Sequence, residues 1–147
     1  MPCLVIEHNS PDYLRAVELR REVLRFPLGM DYTPEQLASE GDSAHFMLEL
    51  DGKVVASAMA TRYDNHSIKV RQVAVDPTLQ GKGLGREIML FAEDWARSQG
   101  YKEAILHARQ VAVDFYLRIG YEIYGEPFEE VGIPHRKMRK LLTSQAF

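Results

Sequence analysis

Residues 73–86, VAVDPTLQGKGLGR, constrain the fold more tightly than any other part of this 147-residue chain. An apolar, β-branched run ends at Asp76-Pro77, a short turn follows, and Gln80-Gly81-Lys82-Gly83-Leu84-Gly85 opens onto a helical pattern. β-Branched side chains favour extended backbone, so the run predicts a strand. Gly81, Gly83 and Gly85 leave their backbone N–H groups uncovered and conformationally free. The helix that follows adds the positive end of its dipole. Strand, glycine turn and helix N-terminus together make an anion site, and the expected anion is a phosphate.

Spacing separates three kinds of phosphate loop. A P-loop needs Ser or Thr directly after its lysine, but Lys82 is followed by Gly83, so the magnesium-binding hydroxyl is missing. A dinucleotide fingerprint needs G-x-G-x-x-G in the first βαβ unit; here Arg86 fills the last glycine slot and the loop lies past mid-chain. The third pattern, Q-x-x-G-x-G, is met by Gln80, Gly83 and Gly85. Placed behind the V-x-V-D-P strand end, it resembles the coenzyme A loop of the GNAT superfamily of N-acetyltransferases.

Bulk properties narrow the alternatives. The length suits one domain with a real core. A net charge of −3 gives no basic footprint for nucleic acid. The single cysteine, Cys3, excludes an internal disulfide and fits a reducing, cytoplasmic setting. No apolar run approaches the roughly 20 residues of a membrane span, and the start MPCLVIEH lacks signal-peptide regions.

Local patterns predict the element order. Residues 4–7 read as a first strand. Ser10-Pro11-Asp12 starts a helix running to about Leu24, with Leu14, Val17, Val23 and Leu24 as core candidates. Thr33-Pro34-Glu35-Gln36 is a capping-box start for a short second helix. Alternation through 46–50, the Asp51-Gly52 hairpin signal, and strands at 54–63 and 67–75 give an antiparallel meander. After the glycine loop, Leu84, Ile88, Phe91 or Ala92, and Trp95 make one helical stripe, closed by Gly100. A strand at 104–108, a short helix at 111–119 and two strands at 121–124 and 135–142 complete the chain.

This order is similar to the GNAT arrangement over nearly the whole sequence. The resemblance implies an α/β (α+β) fold: one domain over 1–147, with a single twisted mixed sheet of about seven strands flanked by helices. Its specific part is residues 70–121; the first 45 residues match only in element order. It implies acetyl-CoA as co-substrate, with Gln80, Gly81, Lys82, Gly83, Leu84, Gly85 and Arg86 on the pyrophosphate. The backbone of Val73, Ala74 and Val75 would pair with the pantetheine arm, one N–H near Val73 or Ala74 polarising the thioester carbonyl.

The stretch 109–121, RQVAVDFYLRIGY, resembles the family's A-x-x-[FL]-Y-x-x-x-G-[FY] signature. By that resemblance Tyr116 lies by the sulfur and acts as the acid; read alone, an aromatic core position with its hydroxyl at the surface is the favoured reading. Where many members carry Asn before this helix, the chain has Arg109-Gln110, and Gln110 takes over as the candidate pantetheine contact. Gly132-Ile133-Pro134-His135, with Ala108-Arg109-Gln110, is similar to the ElaA-like branch of the superfamily. His135 is the candidate base, since imidazole titrates near neutrality; a histidine shaping the turn fits as well. Glu129 and Glu130 suit either a cationic amine or solvent, Arg20, Arg21 and Arg25 either an acidic substrate or solvent, and strand parity leaves His107 facing cleft or core. No metal-ligand spacing and no nucleophile motif such as G-x-S-x-G occurs, so transfer direct from CoA to amine is expected.

The reading is thus an N-acetyltransferase acting on a small-molecule or peptide amine, with no metal and no nucleic-acid or membrane partner. Exposed terminal strands are compatible with a homodimer. A non-catalytic acyl-CoA sensor and a transferase of longer acyl groups fit the same motifs.

Overall fold

The computed structural model describes residues 3–142, so both ends of the expected 1–147 domain lie outside the described residues. The strands are β1 Cys3–Ile6, β2 Ala44–Leu50, β3 Lys53–Arg62, β4 Ser67–Val75, β5 Glu103–Arg109, β6 Glu122–Glu130 and β7 Ile133–Leu141. They form one seven-stranded sheet in the order β1-β2-β3-β4-β5-β7-β6. All neighbours are antiparallel except β4 and β5, which run parallel. Their crossover is the long helix α3, Leu84–Ser98, as a parallel connection requires.

Alternating side chains feed two cores on opposite faces. Phe46, Leu48, Ile68 and Val70 pack with Ile88, Met89 and Ala92 of α3. Met47 and Ala74 join Tyr13, Ala16 and Val17 of α1, Pro11–Arg20. The predicted α3 stripe forms, with Phe91 and Trp95 at its half-buried margin, their rings 5.9 and 5.4 Å from Phe46. Two shorter helices are α2, Pro34–Ala38, and α4, Val113–Arg118. Ser10 caps α1 and Thr33 forms the expected capping box with Gln36. Asp51 and Gly52 take φ values of 51° and 77°, the left-handed pair that a tight hairpin needs.

The first helix departs from expectation. Regular α-helix stops at Arg20, and Arg21–Arg25 forms a wider π turn. Leu14 is 57% exposed, not core, whereas Arg20 is 3% exposed. A buried guanidinium needs a counter-charge, and Glu40 supplies it, accepting from Arg20 Nη1 at 2.8 Å and Nη2 at 2.7 Å. Tyr13 donates its hydroxyl to the same carboxylate at 2.7 Å. Burial works against both charges, but mutual hydrogen bonding raises Arg20 and lowers Glu40, so both stay ionised. With its inward face occupied by Tyr13, Ala16, Val17 and Arg20, the helix turns Leu14 to solvent.

The last hairpin is longer than the sequence suggests. β6 runs through Gly125 and Pro127, where the register with β7 slips between Tyr124 and Phe128. Proline is tolerated there because β6 is an edge strand and the slip is a bulge. His135 is consequently inside β7, opposite Phe128, instead of at its first position.

Candidate active site

The site begins with an irregularity in β4. Against β3, Ser57 pairs with Ala74 but Met59 pairs with Arg71, so an extra residue bulges between. Gln72 takes φ 56° there, and its side-chain oxygen accepts the Tyr32 hydroxyl at 2.6 Å. Bulging bends a strand and strengthens its twist. The parallel pairing of β4 with β5 ends at Val70–Leu106, while β5 stays paired with β7 as far as Arg109–His135. β4 therefore diverges from β5, and a cavity of about 220 Å³ opens between them, walled by Val73, His107, Tyr116, Glu130 and His135 among others.

A second cavity, of about 500 Å³, adjoins it on the glycine-loop side. Val75, Gln80, Gly81, Gly83, Leu84, Gly85, Arg86 and Phe115 line it. Val73, Ala112 and Tyr116 line both cavities, so Tyr116 stands where the two meet. The loop is anchored by Asp76, which accepts from the Thr78 backbone N–H at 2.9 Å and hydroxyl at 2.8 Å and pairs with Lys53 at 2.9 Å. Lys53 and these Thr78 bonds hold the Asp76 carboxyl down at about 2. Gly83 is the α3 N-cap at φ 80°, a left-handed conformation that costs a side chain energy. A Cβ on Gly85 would stand 3.1 Å from Phe115 Cζ, so glycine there lets α3 and α4 close on each other.

Not every predicted residue reaches the cavities. Lys82 and Gln110 stand exposed outside both linings. Ala74 is 1% exposed and packs on the α1 side, so it can serve the cleft only through its backbone. Leu84 doubles as core. The sequence reading missed Gln72, Phe115 and Arg71. Only Phe115 had a local signal, as the aromatic next to Tyr116.

Tyr116 packs edge-on between Phe115 and Tyr121, at centroid distances of 5.0 and 5.8 Å. Burial pushes its hydroxyl up to about 12, so it stays protonated at neutral pH. His135 is buried, with Nδ1 2.7 Å from the Ile133 carbonyl. A carbonyl only accepts, so Nδ1 is the donor there and Nε2 is the nitrogen turned toward Glu130. Glu130 sits between the histidines: Oε1 accepts from His107 Nδ1 at 3.0 Å, and Oε2 is 3.8 Å from His135 Nε2. Partial burial would raise Glu130, but the His107 hydrogen bond and nearby positive charge outweigh it and leave it lowered. His107, ambiguous by parity, faces the cleft.

A helix N-terminus opening onto a cleft between splayed parallel strands is the architecture of transferases that draw acyl groups from coenzyme A. The profile of the Acetyltransferase (GNAT) family matches residues 11–121, and the chain belongs to that family. Among its relatives, Bacillus subtilis YyaT is 27% identical, covering 92% of this chain and 93% of that protein. The Bacillus subtilis uncharacterized N-acetyltransferase YjcF is 30% identical, covering 92% and 97%. A Lactobacillus plantarum crystal structure shares the fold with TM-score 0.84 at 23% identity, covering 97% and 100% of the two chains. Escherichia coli ElaA does so at 0.77 and 24%, covering 95% and 98%. An aminoglycoside 6'-N-acetyltransferase complexed with coenzyme A aligns at 0.79 and 14% over the full length of both. No helix among the described residues is long and apolar enough to cross a membrane.

Proposed function

We propose that this acetyltransferase moves the acetyl group of acetyl-CoA directly onto a primary amine of a small molecule or peptide, and that residues 1–147 act as one domain. The observation that carries the reading is Tyr116, at the junction of the glycine-loop cavity and the β4–β5 cleft. The bare backbone of Gly81, Gly83 and Gly85 at the α3 N-terminus suits a pyrophosphate, with Gln80 and Arg86 at the rim. Past the bulge, Val73 and Val75 offer backbone no longer paired to β5, which suits the pantetheine amides.

In the reaction the amine nitrogen forms its bond to the acetyl carbon as the C–S bond breaks. A backbone N–H near Val73 or Ala74 polarises the carbonyl. Tyr116 donates its O–H toward the leaving sulfur. Neutral His135 takes the proton the amine loses at Nε2, directly or through water. Among the described residues Glu130 is the one carboxylate in the cleft wall and gives an incoming amine an acceptor beside the two histidines.

Calorimetric titration with acetyl-CoA, free CoA and ATP tests the first half of this reading. Binding of both CoA species and not ATP is expected, followed by thiol release on adding amines. ATP binding as tight as CoA would sink it.

A further inference from the structure

Beside the transfer cleft, and sharing Arg25, Arg71, Gln72 and His107 with it, lies a recess of about 310 Å³. Its wall carries the cations Arg25, Lys69 and Arg71 against a single carboxylate, Glu130. No acid among the described residues forms an ion pair with any of these three cations. Glu130 already accepts from His107. Burial and the proximity of Arg71 hold Lys69 below the usual lysine range, with Glu130 opposing them. The recess therefore gathers positive charge that the protein leaves uncompensated.

Arg25 is held ready without being neutralised. Its guanidinium carbon lies 4.8 Å from the Tyr32 ring centroid, while its buried Nε has no hydrogen-bond partner. Tyr32 is itself fixed, with Arg20 stacked at 4.6 Å and its hydroxyl bonded to Gln72. Stacking orients the guanidinium and leaves its edge unused. A planar fork oriented in advance is suited to carboxylate or phosphate.

Resting on the acetyl-transfer reading, we infer that the acceptor is a primary amine bearing a carboxylate or phosphate. Arg25 and Arg71 grip that anionic group in the recess, while the amine turns into the cleft toward Glu130 and His135. Two opposite charges on one small molecule then meet their complements, Arg25 and Arg71 for the anion and Glu130 for the amine, along the wall that the cleft and the recess share. Polycationic amines, by contrast, would have to bring positive charge against three cations.

The test titrates the CoA-saturated protein with matched amines: phosphoethanolamine against ethanolamine, and β-alanine against β-alaninamide. One anionic member is expected to bind at least about tenfold more tightly than its neutral partner; which pair shows the gap tells phosphate from carboxylate. Arg71→Gln, at an exposed position, should shrink that ratio severalfold, and Arg25→Gln/Arg71→Gln should reduce it to about twofold. Acetyl-CoA affinity and the circular dichroism spectrum verify that the variants are folded. Equal binding of paired amines, no measurable binding of any of the four, or a ratio that survives both substitutions overturns the inference. Failure to bind CoA at all would instead strike the acetyl-transfer reading beneath it.

Discussion

Replacing Tyr116 by Phe asks how the hydroxyl acts. With the phenol pushed up to about 12 and a thiol near 8.5, complete proton transfer to the departing thiolate is uphill by roughly 3.5 units, about 5 kcal/mol. The hydroxyl should therefore work chiefly by hydrogen-bonding the negative charge as it grows on sulfur. A bond of that kind is worth about 1.5–3 kcal/mol. Its loss should slow kcat roughly 10- to 150-fold. Because no described residue is hydrogen-bonded to the Tyr116 hydroxyl, the variant should keep Tm within about 2 °C and acetyl-CoA affinity within about threefold. Folding keeps the phenol neutral, so this contribution to stability is full below about pH 10. It is lost as pH rises from about 10 to 12, and Phe should remove that decline, worth about 3 kcal/mol. Thiol release at saturating acetyl-CoA, with thermal melts, is the assay. A kcat within twofold of the parent would refute the role, and a Tm several degrees lower would mark the hydroxyl as structural.

Glu40→Ala leaves the Arg20 guanidinium and the Tyr13 hydroxyl buried without their acceptor. It should cost about 3–5 kcal/mol and lower Tm by roughly 10 °C or more. Removing both charges in Arg20→Met/Glu40→Leu should cost less than Glu40→Ala alone; a larger loss would contradict the unpaired-charge explanation. His45, which bonds the Glu40 backbone carbonyl, is untouched by either change. For Asp76, the lowered carboxyl means stability present above about pH 4 and lost as pH falls toward about 2. Asp76→Asn can keep the Thr78 bonds but not the Lys53 charge pair. Its urea midpoint should lie below the parent's at neutral pH, with the gap closing between about pH 4 and 2; a gap constant across that range would refute the assignment.

What could be read ahead of the structure was whatever local chemistry decides. Ser10 and Thr33 cap helices because their own side chains reach their own backbone, and Asp51-Gly52 turns because both residues accept positive φ. The glycine loop and α3 followed from spacing alone. The remainder depends on residues far apart. Arg20 enters the core only because Glu40 meets it there. The strand expected to end at Tyr124 runs on through Gly125 and Pro127, because an edge strand absorbs them in a bulge. The β6–β7 turn places Val131 at φ 47°, next to Gly132 at 73°, and a β-branched residue gives no sign of such a turn. Tyr116 was visible as a motif, yet whether its hydroxyl met a cleft or a core depended on how far β4 and β5 separate. Gln72 gave no signal, because its strained backbone is held by Tyr32 from another element.

The bulge also resets the phase of its strand. Ahead of it Ile68 and Val70 point to the α3 face; beyond it Val73 and Val75 take that face and Ala74 goes to the other. An even spacing would have continued from Val70 to Gln72 and Ala74. The cleft thus depends on a count, the number of residues between Val70 and Val73, more than on which residues they are. Natural variation in this enzyme should be free to exchange the exposed side chain at position 71 as substrates change, whereas Gln72 is tied to Tyr32. Losing either position altogether would remove the bulge: Val73, Ala74 and Val75 would keep their faces, but the bend that parts β4 from β5 would go with it.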